Sequence, residues 1–409
     1  MRIGIFTDDF YARESGMITS INLLRRGLVE AGHEVFIIAP RPDRKHPLPP
    51  DDHVILVKSF SAVVFTGIRS AIPTKSDYRR VVDLELDVVH SMTQHNLGIM
   101  ASKVARELDI PHVTTYHTMF PELARFYPHR VVLLTYFTKF LYKKWLGIGR
   151  QISWPKLRWL YKVPEADKKI FMQDGWELIS AFGEVCDGII VPSRHMGKML
   201  LPHQEFERPM AVIPTGIDVD FFSGDRSRPF MKKKQLEVAV IGRVSEEKRV
   251  STVLDSLADI DNIKLHVVGD GPDLPVCKTR ARYLGLERNT VFYGARTRKF
   301  VKKILLKCDV LVLASVDFDT QGMVLIEAAA AGTPVVYCDK KLGKSVAPKG
   351  SIYSGPTKDN LRQVFERLLA GGYDLEEMSV LSKEFAKSNT YQLFATKTVN
   401  FYEKLLGKK

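Results

Sequence analysis

The chain has 409 residues, 45% of them hydrophobic and 26% charged, and its 60 lysines and arginines outnumber 47 acids for a formal charge of +13. That is the make-up of a soluble globular protein of two or three domains, and it excludes membrane-spanning helices, since no run approaches ~18 apolar residues. The excess of cations implies anionic partners, whether phosphate ligands, a lipid surface or nucleic acid.

The N-terminus, MRIGIFTDD, reads as a strand running into acids rather than as a secretory leader. Arg2–Thr7 is a strand, residues 8–16 a loop ending in Gly16, Met17–Ala31 an amphipathic helix and Glu34–Ala39 the next strand, which makes a βαβ opening. No G-x-G-x-x-G follows the first strand, so a dinucleotide fingerprint is absent. After a proline-rich loop, Val54–Ser59 and Asp87–Ser91 are strands, Leu97–Leu108 is a helix, and His112–Tyr116 is a strand that delivers His117 to its carboxyl end. Ligands bind at that end of a parallel sheet. A lone histidine there is equally readable as a core residue bonded to backbone.

Leu123 to Pro164 contains no Asp or Glu and interleaves Lys139, Lys143, Lys144, Arg150 and Arg158 with Trp145, Trp154 and Trp159. Cations among tryptophans and tyrosines are the composition of an interfacial membrane segment. The other readings are a helical part of the first domain whose aromatics are core, and a nucleic-acid face. No nucleic-acid motif accompanies the charge, so nucleic acid is not counted among the partners. Further on, Asp187–Ser193 is a strand, Arg194–Leu200 a short helix and Met210–Asp218 a strand and turn, and the polar, basic stretch Gly224–Lys234 reads as a linker.

Leu236–Gly242 opens a second α/β unit and runs into GRVSEEKRV, with Arg243 and Lys248 five residues apart. Ile263–Asp270 and Thr290–Gly294 are strands. Val310–Ala314 is a strand followed by a polar loop carrying Asp319, then Gly322, Met323 and an apolar helix with Glu327 one turn inside. A glycine at a helix start lets a ligand approach N–H groups at the end that attracts anions. Taken alone, Asp319 is equally a helix cap and Glu327 a salt-bridged acid. Gly332 and Pro334 end that helix, and helices at Asp359–Leu369, Leu375–Ser388 and Tyr391–Leu406 complete the chain. The four cysteines have no metal-ligand spacing and read as small core residues of a reducing compartment.

The acid–seven residues–Glu pattern of Asp319 and Glu327, the TQG after it, the Arg243/Lys248 spacing, His117 and the glycine loop at Gly16 together resemble the retaining GT-B glycosyltransferases of family four, most of all the branch that glycosylates diacylglycerol and phosphatidylinositol lipids. The likeness spans nearly the whole chain. The family usually has Glu where Asp319 stands, and often a second glycine where Ser15 stands. The resemblance implies an α/β chain with two Rossmann-like domains facing a cleft: residues 1–223 for the acceptor, with the basic aromatic insertion at 123–164, residues 224–388 for the nucleotide sugar, and 389–409 as a helix crossing back to the first domain. It implies transfer of a hexose from a nucleotide diphosphate sugar, UDP-glucose-like, to a lipid hydroxyl, with retention of configuration. Arg243 and Lys248 would neutralise the diphosphate, Asp319 would contact sugar hydroxyls and His117 the donor sugar. Glu327 would hold the ribose, and Gly16, Gly322 and Met323 would approach the donor phosphates. No metal or other cofactor is expected. The implied partners are the nucleotide sugar, the lipid acceptor and an anionic membrane surface, and the implied place is the cytoplasmic side of the membrane, peripherally bound. The same chemistry on a soluble or polyprenyl-linked acceptor, and a catalytically silent lipid- or nucleotide-binding relative, are the alternatives.

Overall fold

The computed structural model describes residues 1–10, 15–43, 48–61, 69–117, 121–122, 126, 128–148, 164–204, 207–230 and 235–407. The chain divides into two compact units, Met1–Gly216 with Tyr391–Lys409, and Ile217–Thr390.

The first unit runs β1 (Arg2–Phe6), α1 (Gly16–Glu30), β2 (Glu34–Pro40), β3 (Val54–Val57), β4 (Ser59–Ser61), β5 (Arg69–Ala71), α2 (Lys75–Val82), β6 (Val88–Ser91), α3 (Asn96–Leu108), β7 (His112–Thr115), α4 (Pro128–Leu146), α5 (Glu165–Glu184), β8 (Gly188–Val191), α6 (Arg194–Leu200) and β9 (Met210–Val212). Its seven-stranded sheet has the order β3-β2-β1-β6-β7-β8-β9, with parallel neighbours throughout. Strands covered on both faces carry near-continuous apolar runs, which is why RIGIF, VFIIA and GIIV are so apolar. Ser15 caps α1, its hydroxyl accepting from the N–H of Ile18 at 3.2 Å. The helix buries Ile18, Ile21, Leu24 and Leu28. β4 and β5 form a separate antiparallel pair. The α5 helix, which the sequence reading passed over, buries Trp176, Ile179 and Phe182.

The second unit runs α7 (Val219–Phe222), β10 (Leu236–Ile241), α8 (Val250–Ser256), β11 (Ile263–Val268), α9 (Leu274–Tyr283), β12 (Thr290–Phe292), α10 (Arg298–Lys307), β13 (Val310–Leu313), α11 (Met323–Ala330), β14 (Val335–Tyr337), β15 (Ser351–Tyr353), α12 (Lys358–Leu369) and α13 (Leu375–Lys387). Its sheet has the order β12-β11-β10-β13-β14-β15, again parallel. The last helix, α14 (Tyr391–Leu406), belongs to the first unit, where Phe394, Phe401, Tyr402 and Leu405 enter the core beside β1 and β2. Burying each of these side chains contributes ~1.5–3 kcal/mol, so the terminal helix is part of that unit's core. Tyr402 also meets His90 on β6, hydroxyl to Nδ1, at 2.5 Å.

The seam between the units lies at 216/217, ahead of the expected 223/224, because Ile217 and Phe222 are fully buried in the second unit's core. Residues read as a linker are also pinned there. Arg226 donates to the carbonyl of Cys308 at 2.8 Å and stacks 3.5 Å from the Phe230 ring centroid. Arg228 pairs with the fully buried Asp309 ahead of β13. Residues 231–234 of the expected linker lie outside the described residues.

Candidate active site

In each sheet the strand order reverses once, between β1 and β6 in the first unit and between β10 and β13 in the second. At such a point the loops leaving the carboxyl ends of the strands part and open a crevice where ligands bind. The candidate residues of the second unit all follow β10 or β13, one on each side of this point. Three loops there are stitched by backbone: Val244 N–H to the carbonyl of Asp270 at 3.0 Å, Asp273 N–H to that of Val244 at 3.1 Å, and Gly269 N–H to that of Gly294 at 2.9 Å. Gly269 has φ +145°, and a Cβ on it would lie 1.7 Å from the carbonyl oxygen of Gly242. Only glycine lets the β11 loop close on the β10 loop.

Arg243 is exposed, and among the described residues its guanidinium has no ion pair or hydrogen bond. Lys248, at the end of the short 3-10 turn Glu246–Lys248, donates from Nζ to Oδ1 of Asp319 at 2.5 Å. The hydroxyl of Ser315 donates to the other carboxylate oxygen. Both charged side chains are largely enclosed, 21% and 13% exposed, and the ammonium also lies 5.2 Å from the ring centroid of Phe318. The two residues singled out for opposite tasks, diphosphate and sugar, are therefore direct partners. The loop around them is fixed at its other edge, where Asp317 N–H donates to Asp339 Oδ2 at 2.8 Å and Lys341 pairs with the Asp317 carboxylate.

Gly322 caps α11 with φ +71°, a conformation costly for any residue with a Cβ, and a Cβ there would meet Leu325 at 2.9 Å and Leu313 at 3.1 Å. Gly322 itself has no side chain with which to cap the helix. The N–H groups of Met323 and Val324 lie at the positive end of the helix, where an anion is favoured, while that of Leu325 bonds back to the Gly322 carbonyl at 2.9 Å. One turn in, Glu327 accepts from Nη2 of Arg298 at 3.1 Å. Arg298 is a residue the sequence reading missed. It opens α10, where the helix dipole disfavours a cation, and it is held there by Glu327 and by the rings of Phe222 and Phe221, 5.1 and 5.8 Å from its guanidinium carbon. A cation in a first helical turn was the signal that could have pointed to it. Ser315, a lone hydroxyl after an apolar strand, offered none.

His117 and Gly16 belong to the first unit. His117 follows β7, partly buried, with Nε2 3.3 Å from the sulfur of Met92. Burial pushes its pKa down to about 4, so the ring is neutral at physiological pH and offers a lone pair or an N–H rather than a charge. Gly16 is the first residue of α1, while residues 11–14 of its loop lie outside the described residues. Nearby in sequence, Asp8 ties the loop after β1 to the start of α3. It accepts from the hydroxyl of Thr93 at 2.7 Å and from the N–H of Leu97 at 3.2 Å. Burial raises its pKa to about 6 against these hydrogen bonds.

The basic aromatic segment is described in part. Within α4, Tyr136, Tyr142 and Leu146 pack with Ile99, Leu178 and Phe182 into a small core. Phe137, Phe140 and Trp145 stay exposed, with Lys143 and Lys144 beside them and Lys139 half-buried. Spacings of three and four put Phe137, Phe140 and Lys144 on one side of the helix. Lys103 of α3 joins this face with its ammonium 3.8 Å from the Trp145 ring centroid. The segment is thus core on one side and open on the other. Arg150, Trp154, Arg158 and Trp159 lie outside the described residues. Among the described residues no helix is long and apolar enough to cross a membrane, and no group of three or more His, Cys, Asp or Glu could hold a metal ion.

Comparison with known proteins adds to this geometry. Residues 15–221 match the family described as Glycosyltransferase Family 4, and residues 224–380 match that described as Glycosyl transferases group 1. The chain is 28% identical over 392 residues to the alpha-monoglucosyldiacylglycerol synthase of Streptococcus pneumoniae, covering 90% of this chain and 79% of that one. It is 26% identical over 360 residues to the protein of the same name from Acholeplasma laidlawii, covering 82% and 80%. Among solved structures, HepE of Anabaena in complex with UDP matches with a TM-score of 0.71 at 14% identity, over 99% of this chain and 100% of that one. Sucrose-phosphate synthase of Thermosynechococcus elongatus matches with a TM-score of 0.71 at 17% identity, over 100% of both chains. At these identities the structural likeness carries the fold alone, which is GT-B.

Proposed function

The chain belongs to glycosyltransferase family 4, and from that premise we propose that it moves a hexose from a UDP-glucose-like nucleotide diphosphate sugar to a hydroxyl of a membrane lipid such as diacylglycerol, with retention of configuration. The observation that carries the donor half is the presence, at the strand-order reversal of the second unit, of exposed Arg243, the Lys248–Asp319 pair and the glycine-capped start of α11. Two cations and the first N–H groups of a helix suit a diphosphate, and the Asp319 carboxylate suits sugar hydroxyls. The acceptor hydroxyl would attack the anomeric carbon from the face the diphosphate leaves, through an oxocarbenium-like state, and the departing phosphate would take the proton. Arg243 and Lys248 would strengthen their hold as charge develops on the leaving oxygen, which is where such contacts lower a barrier. Asp319 would turn toward a sugar hydroxyl, Glu327, oriented by Arg298, would take the ribose hydroxyls, and neutral His117 would hydrogen-bond the transferred sugar. Two cations suffice for the diphosphate, so the reaction is proposed to need no metal.

The lipid acceptor is supported by the two relatives named as glucosyldiacylglycerol synthases and by the open aromatic and cationic side of α4, the composition of a surface that rests at a headgroup layer. On this reading the enzyme works on the cytoplasmic side of a membrane, peripherally bound. A thermal-shift screen with UDP-glucose, UDP-galactose, GDP-mannose and ADP-glucose tests the donor half. A ligand at 100 times its dissociation constant stabilises by ~2.7 kcal/mol, a shift of a few degrees. Stabilisation by UDP-glucose is expected, and no shift with any of the four would overturn the donor assignment.

A further inference from the structure

Arg249 stands in the left-handed region at φ +53°, a conformation that residues with a Cβ adopt at a cost and keep where the surroundings enforce it. Here they do. One guanidinium nitrogen donates to the carbonyl of Ala314 at 3.1 Å and another to the carbonyl of Pro356 at 2.7 Å. Ala314 is the first residue after β13, and Pro356 precedes Thr357, whose hydroxyl caps α12. A single side chain therefore ties the β10 loop to the loops that leave β13 and β15.

The neighbouring contacts close a ring. Lys248, the residue before Arg249, grips Asp319. Asp319 is held by Ser315, the residue after Ala314, and Ala314 is gripped by Arg249. Two adjacent residues of one loop thus hold two points of the loop opposite, across the strand-order reversal, and the arginine's bonds fix the backbone from which the lysine side chain extends. Both acceptors are neutral carbonyls, and a planar guanidinium with donors in a fixed fork spans them as a flexible ammonium does not. Arg243, by contrast, has no such anchor among the described residues.

We propose that Arg249 is a positioning residue that fixes Lys248 against the donor diphosphate. This rests on the reading of Lys248 as a diphosphate cation. The test compares Arg249→Gly, Arg249→Lys and Lys248→Ala in the full chain, with kcat and KM for UDP-glucose and the ratio of UDP to uridine affinity as readouts. Glycine adopts the left-handed backbone without cost while removing the brace, so a loss in this variant does not come from added strain. The expected result for Arg249→Gly is a kcat lower by roughly tenfold with KM for UDP-glucose changed little, as for a contact realised in the transition state, and a smaller preference for UDP over uridine. Guanidinium chloride at low millimolar concentration should restore part of that loss in Arg249→Gly and none in Lys248→Ala. Arg249→Lys, which can reach one carbonyl, should fall between the parent and the glycine variant. Should Arg249→Gly fail to fold, Arg249→Lys carries the test, and parental kcat in it overturns the proposal. Parental kcat in Arg249→Gly overturns it as well, as does an equal loss in both arginine variants that guanidinium leaves unrelieved. Parental kcat in Lys248→Ala overturns the diphosphate reading itself, and the brace falls with it.

Discussion

Replacing Phe137, Phe140 and Trp145 together by serine should detach the protein from lipid vesicles without unfolding it. In the structure these side chains are 50%, 52% and 47% exposed. An aromatic side chain can bury ~200 Å², so each leaves ~100 Å² open, and transfer of all three into an apolar layer at ~25 cal/mol per Å² is worth ~7 kcal/mol. Rings lying at headgroup depth would realise about half of this, ~3.5 kcal/mol, or several hundredfold in partitioning. Exposed Lys143 and Lys144 add roughly 1 kcal/mol each at an anionic surface. The rings lie outside the small core of Tyr136, Tyr142 and Leu146, but about half of each is covered, so the triple variant should lose roughly 1–3 kcal/mol and still fold, which thermal melting checks. The assay is co-sedimentation with vesicles of anionic and of neutral lipid at low and high salt. The parent should pellet with anionic vesicles and less so as screening shortens from about 10 Å at 0.1 M to 3 Å at 1 M, while the triple variant stays in the supernatant. A triple variant that pellets like the parent, or a parent that never pellets, would refute the assignment of this face to a membrane.

Arg243→Ala should lower kcat/KM by ~10²-fold or more, a loss of ~3 kcal/mol of leaving-group stabilisation, and parental activity should persist in EDTA; steady-state assays with and without chelator check both. Asp319→Asn should fold and turn over more slowly, because an amide leaves the Lys248 ammonium without its counter-charge, whereas Asp319→Glu should retain much of the activity; equal rates for Asn and parent would make the carboxylate a loop contact only. On acidification the chain should lose stability. Burial holds His90 and His112 at about 3 and His95 and His117 at about 4, below their unfolded value, so the unfolded chain takes up protons first as pH falls from about 6.5 toward 4. Asp8 and Asp174, raised to about 6 mainly by burial, oppose this, being favoured in the protonated folded form. Four groups against two leave a net fall of up to ~1.4 kcal/mol per pH unit for each excess proton. A Tm that rises between pH 6.5 and 4.5 would contradict this reading of those groups.

Sequence patterns revealed what is local. Apolar runs such as LEVAVI and VLVL marked β10 and β13 because strands covered on both faces are apolar nearly throughout. The five-residue spacing of Arg243 and Lys248 and the glycine before α11 were likewise visible, since each sits within one loop. Pairings across long stretches of chain were not. Arg249 reaches carbonyls 65 and 107 residues away, Arg228 finds Asp309 at 81, and no local pattern encodes such a partner. For the same reason residues 224–230 read as linker although they are clamped to the second unit. The basic aromatic segment was legible in its composition alone, which averages over faces. Tyr136 and Phe137 are neighbours of similar character, yet one is core and the other exposed, and only helix packing against α3 and α5 separates them.

The central claim is tested most directly by the product. The full-length protein, incubated with UDP-[14C]glucose and anionic vesicles containing diacylglycerol, should form a chloroform-soluble labelled lipid that an α-glucosidase cleaves and a β-glucosidase does not, and Lys248→Ala should form about 10²-fold less. Label released only as free glucose, a β-linked product, or no label in lipid while a water-soluble acceptor is glycosylated would contradict retaining transfer to a membrane lipid.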